Sequence, residues 1–162
     1  GHWSIAEHAT ATLYFTGVSR AFLAELTRHR HLSFSVESQR FINANNANIV
    51  APPAMRNSQS LRDDLELDAE GALDFYKYTA EQLLDAGLTR KQAREAARAF
   101  IPNCIETRMV VTGNLRAWNE VIQRRTQPDA DAEMQEVMRL AKAELHTVSP
   151  IIFPKENTND RK

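Results

Sequence analysis

Residues 28–40 read RHRHLSFSVESQR, the densest cluster of charged and hydrogen-bonding side chains in the chain. From residue 32 onward, apolar and polar side chains alternate, which predicts a strand over 32–41. One face of this strand changes from apolar to polar halfway along, so we expect it to leave the core and enter a cleft. Arginine suits phosphate because it can donate two parallel charged hydrogen bonds. The alternative is a solvated helix end whose cations complement the helix dipole.

The segments on either side predict a mixture of helices and short strands. Before the cluster, Phe22, Leu23 and Leu26 recur at helical spacing, which predicts a helix over 19–30. After it, residues 43–60 are rich in asparagine and contain a proline pair, so we predict a long loop. The other predicted elements are a helical turn at 4–8 capped by Ser4, a strand at 10–16 ended by Gly17, a β-rich run at 105–112, and helices at 68–86, 89–100, 114–125 and 131–146.

A capping box and apolar stripes support these helices. Thr89 and Gln92 have the spacing of a capping box at the start of the helix at 89–100. The residues of the predicted apolar stripes are Ala69, Ala72, Leu73, Tyr76, Ala80, Leu83 and Leu84 in the first helix, Trp118, Val121 and Ile122 in the third, and Met134, Val137, Met138, Ala141 and Leu145 in the fourth.

Length and composition narrow the class of protein. The 162 residues favour one domain, over 1–153, followed by a polar tail at 154–162. Twenty basic and 21 acidic residues give a net charge of −1, so we predict no nucleic-acid partner. No apolar run approaches the roughly 20 residues that span a bilayer, so we predict no membrane partner. The single cysteine, Cys104, excludes an internal disulfide framework and fits a reducing cytoplasm.

Several familiar sites can be set aside by spacing. The sequence has no Gly-x-Gly-x-x-Gly and no Gly-x-x-x-x-Gly-Lys-Ser/Thr, so a nucleotide site must use arginines and backbone groups instead. His29 and His31 could bind zinc, but the arginines beside them would repel the cation, and we predict no metal site. Ser38 lacks the flanking glycines of a hydrolase nucleophile, and Cys104 is assigned no role.

Arg28-His29-Arg30, followed after seven residues by Ser38, resembles the Arg-His-Arg-x7-Ser signature of the flavin-dependent thymidylate synthases. Other segments similar to this family follow in matching order and extend the resemblance over residues 1–153. They are Gly1-His2-x-Ser4-x-x-Glu7-His8, Gln39-Arg40-Phe41, Ala97-Arg98-x-x-Ile101-Pro102, Thr107-Arg108, Thr112 to Trp118, and Arg125. The resemblance implies an α+β fold in which helices pack on a small, mostly antiparallel sheet, the flavin-dependent thymidylate synthase fold.

The resemblance also implies an activity, the reductive methylation of dUMP to dTMP without an enzyme nucleophile. FAD would be the cofactor, methylenetetrahydrofolate the carbon donor and NADPH the reductant. The family implies a homotetramer whose active sites are built from several subunits. The residues implied to contact FAD are Ser4, Arg28, His29, Arg30, Asn114 and Arg116. Those implied to bind dUMP are Glu25, Arg28, Ser38, Gln39, Arg40, Arg98 and Arg125. Arg125 would also be catalytic, since its charge would favour ionisation of the uracil ring.

Three departures from the family pattern motivate a second hypothesis. Val36 stands where many members have Glu or Gln, and Glu120 stands where members often have a flavin-contacting histidine. The chain also begins at the Gly-His motif, which a further segment precedes in family members. The alternative is therefore a non-catalytic nucleotide-binding relative that has lost productive flavin binding. A nucleic-acid-binding module that uses residues 28–40 is a third hypothesis, which the net charge disfavours.

Overall fold

The computed structural model describes residues 2–44 and 47–155. The strands in this part of the chain are β1 (Thr10–Ser19), β2 (Ser33–Val36) and β3 (Glu106–Asn114). They form one antiparallel sheet in the order β1-β3-β2. The helices are α1 (Arg20–Leu26), α2 (Gln59–Asp85), α3 (Arg90–Ala97), α4 (Leu115–Arg125) and α5 (Ala132–Val148). Short 3-10 turns lie at Trp3–Glu7, Pro53–Met55 and Arg98–Phe100. The α+β class predicted from the sequence is confirmed.

Side-chain caps begin three of the helices at or next to the predicted places. Thr89 and Gln92 exchange side-chain and backbone hydrogen bonds at the start of α3, which is the predicted capping box. Asn114 Oδ1 accepts from the third backbone N–H of α4 at 2.7 Å. Asp131 caps α5 in the same way. Gly87 follows the end of α2 with a φ of 88°, a conformation that glycine adopts without strain.

β1 is longer than predicted, because Gly17 does not end it. Gly17 has a φ of 68°, which lies in the left-handed region that glycine tolerates, and the strand continues through it to Ser19. The Gly17 N–H donates to Glu106 Oε1 at 2.9 Å, so a bond from β3 compensates the irregular backbone there. The predicted cap at Ser4 is wrong, since no side chain caps the 3-10 turn Trp3–Glu7.

The arginine cluster lies in the connection between α1 and β2. α1 ends at Leu26, so residues 28–30 follow the helix instead of forming its last turn. β2 ends at Val36 rather than 41, because the Ser38 carbonyl accepts backbone bonds from the residues three and four positions later and closes a turn. The polar half of the predicted strand therefore belongs to this turn.

α2 begins at Gln59, well before the predicted start at 68. Ser58 Oγ caps it by accepting from the Leu61 N–H at 3.4 Å. Residues 59–67 are mostly polar or exposed, but Leu61 and Leu65 extend the four-residue apolar spacing of the helix back from Ala69, a signal that the prediction did not use.

The chain divides into two compact units, of which the first unit comprises Gly1–Leu13, Leu26–Phe34 and Val110–Lys162. Within this unit α4 and α5 contact each other and bury apolar side chains. The buried apolar residues of these two helices are Leu115, Ala117, Trp118, Val121, Ile122, Met134, Met138, Ala141 and Leu145. The helical spacing that predicted this core in the sequence is confirmed.

Trp118 is the largest side chain in the core of the first unit. It is 0% exposed, and its ring Nε1 donates to Ala11 O at 3.0 Å, whereas the other tryptophan, Trp3, is 42% exposed. Gly113 lies beside it, where an added Cβ would come within 2.5 Å of Leu32 Cδ2. An alanine at this position of β3 would therefore require the Leu32 side chain to move.

The second unit comprises Tyr14–Glu25 and Ser35–Met109. Tyr76 of α2 is 1% exposed and forms a buried cluster with Ala44 and Ala97. The partly buried apolar residues packed against this cluster are Leu73, Ala80 and Ile101. The middle of the apolar stripe predicted for α2 therefore faces the core of this unit.

Candidate functional site

The turn at residues 28–31 exposes three of its four side chains and covers the fourth, His29. The His29 N–H donates to Leu26 O, and the Leu32 N–H donates to His29 O, each at 3.1 Å. These two backbone bonds fix the turn directly after α1. The sequence therefore places the half-buried imidazole of His29 between two guanidinium groups that lie at the surface.

His29 is hydrogen-bonded to Arg125, the last residue of α4. Arg125 Nε donates to His29 Nε2 at 2.8 Å. A guanidinium has no acceptor atom, so His29 Nε2 must carry its lone pair, and the imidazole of this pair is neutral with its proton on Nδ1. The sequence assigned these residues to different ligands and did not predict that they contact each other.

Two cavities lie on the first unit and share part of their walls. The larger has a volume of about 690 Å³ and the smaller about 380 Å³, a range typical of small-molecule sites. The larger is lined by His29, His31, Ala117, Glu120, Val121, Gln123, Arg124, Gln127 and Asp129. The smaller is lined by Glu7, His31, Asn114, Arg116, Ala117 and Glu120. The two cavities are adjacent, since His31, Ala117 and Glu120 line both.

Arg116 lies in the smaller cavity between two carboxylates. Its Nε donates to Glu120 Oε1 at 3.0 Å, and its Nη1 donates to Glu7 Oε1 at 2.5 Å. The hydrogen bond to Glu120 raises the pKa of Arg116, and the hydrogen bond to Glu7, the second largest cause, raises it further. Glu120, the departure noted in the sequence, therefore binds the arginine that was expected to contact FAD.

In the second unit, Ser38 and Gln39 line a cavity of about 40 Å³, which has room for about one water molecule. A nucleotide bound by these two residues would therefore lie outside this cavity. Ser38 Oγ accepts from the Arg40 N–H at 3.4 Å, so its own hydroxyl proton can be donated elsewhere.

Arg40 forms an ion pair with Glu95 of α3, with 2.8 Å between Arg40 Nε and Glu95 Oε2. The Nε–H does not point at this oxygen well enough for a hydrogen bond. The buried Nε therefore has no hydrogen-bond acceptor among the residues that the structure describes. The Arg40 guanidinium also lies 6.0 Å from the centre of the Phe41 ring. Glu95 thus neutralises the charge of Arg40 without satisfying the Nε–H.

Sequence reasoning missed Arg20, the first residue of α1. Its guanidinium is half-buried, with Nη1 3.3 Å from Thr107 Oγ1 and 3.4 Å from Glu37 O. Burial lowers the pKa of Arg20, the positive charge of Arg98 lowers it further, and the Glu37 carboxylate acts in the opposite direction. Its position in the predicted helix gave no sign that β3 and the turn after β2 would surround it.

Glu106 is the second residue that sequence reasoning missed. Its side chain is only 8% exposed and accepts hydrogen bonds from the Gly17 N–H, Asn48 Nδ2 and Arg108 Nε. Burial alone would raise the pKa of Glu106, but these three bonds outweigh it and hold the pKa below its usual value. The buried carboxylate of Glu106, which belongs to β3, therefore connects this strand to β1 and to the loop that follows β2.

The two units separate the predicted ligand residues. All those expected to contact FAD belong to the first unit: Ser4, Arg28, His29, Arg30, Asn114 and Arg116. Among those expected to bind dUMP, Arg28 and Arg125 also belong to the first unit. The remaining dUMP residues, which belong to the second unit, are Glu25, Ser38, Gln39, Arg40 and Arg98. His29, Asn114 and Arg116 line the cavities of the first unit, whereas Ser4, Arg28 and Arg30 are exposed.

Three further observations concern metal ligands, helix length and the thiol in residues 2–44 and 47–155. There, no three His, Cys, Asp or Glu side chains come together in a group that could hold a metal ion. No helix in this part of the chain is both long and apolar enough to cross a membrane. Burial raises the pKa of the Cys104 thiol, which disfavours the reactive thiolate.

The fold matches solved structures of one class of enzyme. Thymidylate Synthase X from Helicobacter pylori, whose crystal structures contain FAD and dUMP, superposes with a TM-score of 0.63 at 23% identity. The match covers 94% of this chain and 75% of that one. A second H. pylori structure of the same enzyme gives the same TM-score at 22% identity.

Sequence comparison identifies the family. A family model described as "Thymidylate synthase complementing protein" matches residues 1–151. The flavin-dependent thymidylate synthases of Mycobacterium tuberculosis and Mycobacteroides abscessus are 41% and 43% identical to the chain, and each match covers 94% of it. A probable enzyme of Mycobacterium phage L5 is 46% identical over 93% of the chain. The chain spans about 64% of the length of the mycobacterial relatives and 63% of the phage relative. The chain belongs to the flavin-dependent thymidylate synthase family.

Proposed function

We propose that this chain carries the core of an FAD-dependent thymidylate synthase, which methylates dUMP reductively to dTMP. Methylenetetrahydrofolate would donate the carbon and NADPH the reducing equivalents, with no enzyme nucleophile. The observation that carries the proposal is the position of the family signature, on the turn where His29 meets Arg125 beside a large cavity. The names of the mycobacterial relatives and the FAD and dUMP in the H. pylori structure support it.

FAD suits the two adjacent cavities of the first unit in size. Its proposed contacts are Ser4, Arg28, His29, Arg30, Asn114 and Arg116. When bound, FAD supplies the redox chemistry, while the protein supplies position and electric field. Arg116 would donate to the phosphate oxygens of FAD through the N–H groups that its bonds to Glu7 and Glu120 leave available.

For dUMP, the proposed contacts are Glu25, Arg28, Ser38, Gln39, Arg40, Arg98 and Arg125. His29 would orient Arg125 by accepting from its Nε, and the Nη groups of Arg125 would donate to the uracil. A positive charge beside the ring favours the ionised form of the pyrimidine, which is the more reactive nucleophile. Ser38 would bind as a hydroxyl donor and form no covalent bond.

The proposal extends to domain organisation, assembly and location. Residues 1–153 would act as one domain, with 154–162 as a polar tail. The chain would form a cytoplasmic homotetramer with shared active sites, and the single cysteine is consistent with a reducing compartment. Exposed apolar side chains of α2 support self-association, since Leu67, Phe75 and Tyr78 are 60–70% exposed.

A specific observation favours a second candidate, a nucleotide-binding relative without productive flavin. Arg116, the proposed phosphate contact, is already bonded to two carboxylates, and Val36 offers no hydrogen bond to a ligand. Such a protein would bind dUMP and would not retain FAD.

An absorption spectrum of the purified protein, recorded with and without FAD and then with dUMP, distinguishes the two candidates. The synthase predicts a protein-bound flavin spectrum that shifts when dUMP is added. If dUMP binds but no flavin is retained at excess FAD, the protein is a nucleotide-binding relative without catalytic activity.

A further inference from the structure

The smaller cavity of the first unit combines one guanidinium with two carboxylates. Glu120 lies one helical turn after Arg116 on α4, and Glu7 comes from the 3-10 turn Trp3–Glu7. The bonds to Arg116 measure 3.0 Å from Glu120 Oε1 and 2.5 Å from Glu7 Oε1. His31, Asn114 and Ala117 complete the lining and supply no further carboxylate or guanidinium group.

This arrangement disfavours anionic ligands. The two carboxylates engage two of the five N–H donors of Arg116, and a phosphate that binds the remaining three meets two negative charges against one positive charge. An uncharged ligand, such as a polyol or an aromatic ring, meets no such repulsion. The cavity therefore discriminates between ligands by their charge.

The two carboxylates have different roles. Glu7 connects the 3-10 turn to α4 through Arg116, so it contributes to the local fold. Glu120 belongs to the same helix as Arg116, and its side chain is 56% exposed and lines both cavities. Replacing Glu120 would leave the connection between Glu7 and Arg116 intact.

We propose that Glu120 is a specificity-determining residue that weakens the binding of phosphate-bearing ligands at Arg116 and leaves the binding of uncharged ligands unchanged. Applied to FAD, this inference rests on the proposed function, because the pyrophosphate of FAD is then the anion concerned. Glu120 would set the ratio of the affinities for FAD and for riboflavin, which has the same ring system and no phosphate.

Titration calorimetry at low salt with inorganic pyrophosphate, FAD and riboflavin tests the inference. The variant Glu120→Gln keeps the shape of the side chain and removes its charge. We expect it to bind pyrophosphate and FAD about three- to fivefold more tightly than the wild type, as loss of one partly exposed charge contact allows, with riboflavin unchanged within about twofold. Glu144→Gln, an exposed charge removal on α5, is the matched control and should change none of the three affinities.

The double variant Arg116→Ala/Glu120→Gln shows whether the effect acts through Arg116. The gain in pyrophosphate affinity should vanish in the Arg116→Ala background, and a gain that persists there overturns the inference. An unchanged pyrophosphate affinity in Glu120→Gln, or no pyrophosphate binding by either protein, also overturns it. If pyrophosphate binding tightens while no variant binds flavin, the inference stands and the proposed function fails.

Discussion

Arg125 and His29 form the contact on which the proposed chemistry depends most directly. The contact fixes the tautomer of His29 and one edge of the guanidinium of Arg125. If Arg125 is the group that favours ionisation of uracil, its removal should affect turnover far more than folding, because the residue ends a helix whose apolar face lies elsewhere.

Arg125→Ala should therefore reduce thymidylate formation by about a thousandfold or more, as loss of a positioned electrostatic group does, while the far-UV circular dichroism spectrum stays unchanged. Arg139→Ala, an exposed arginine on α5 that lines neither of the two cavities, is the matched control and should retain turnover within a few-fold. Turnover by Arg125→Ala close to the wild-type rate would show that this arginine is not catalytic.

Glu106 is important for stability, and its charge gives that stability a pH dependence. Its pKa is lower in the folded protein than the usual 4.5, so its contribution is fully present above 4.5 and is lost as the pH falls through the lower folded value. Glu106→Gln should lower the free energy of unfolding by about 2 kcal/mol at pH 7, since three bonds to a buried charge are weakened.

Urea unfolding of wild type and Glu106→Gln at several pH values measures this effect. The difference between the two proteins should shrink as the pH falls below 4.5. A difference that stays constant from pH 7 to pH 3 would mean that the ionised form of Glu106 is not what stabilises the fold.

At the scale of single elements, α4 illustrates how one residue can serve both structure and ligand. Asn114 ends β3 and caps α4, and the cap is independent of any role toward FAD. Asn114→Ala should lower the free energy of unfolding by about 1 kcal/mol, whereas Asn114→Asp should keep the cap and hence the stability. Thermal unfolding followed by circular dichroism checks this order, and equal melting temperatures for the Ala and Asp variants would contradict it.

The elements that the sequence predicted well are those whose signals are local. The capping box at Thr89 and the apolar spacing around Trp118 both appear within a few residues of sequence, and both are confirmed. The early start of α2 at Gln59 was missed because Leu61 and Leu65, which continue its apolar spacing, lie among mostly exposed polar side chains. The extension of β1 through Gly17 was missed because a partner distant in sequence, Glu106, compensates the glycine there.

The candidate site shows the same division between local motifs and long-range contacts. The motif at residues 28–38 predicted the family, which the comparisons confirm. It did not predict the bond between His29 and Arg125 or the pairing of Arg116 with Glu7, because these partners lie far apart in the chain. Arg20 was missed for the same reason, since its environment depends on β3.

At the scale of the whole molecule, the proposed homotetramer makes a measurable prediction. Leu67, Phe75 and Tyr78 lie within one face of α2 and expose apolar surface that a partner would cover. Light scattering should give a mass four times the 18.4 kDa of the chain. Leu67→Glu should shift this mass to a smaller species, while Glu66→Gln, a change at an exposed residue on a different side of α2, should not. A wild-type mass equal to that of one chain would exclude the tetramer.

The enclosure of Trp118 gives the protein an optical reporter of its own. The indole of Trp118 is buried in the core of the first unit and donates a hydrogen bond to Ala11 O, while Trp3 is partly exposed to water. Trp118 should therefore emit at shorter wavelength than Trp3 and resist quenching by iodide. Flavins absorb at the wavelengths where tryptophan emits. A flavin in the cavity lined by Ala117, the neighbour of Trp118, would therefore quench the emission of Trp118 by resonance energy transfer. Cofactor binding can then be followed in unlabelled protein from the decrease of its near-ultraviolet fluorescence.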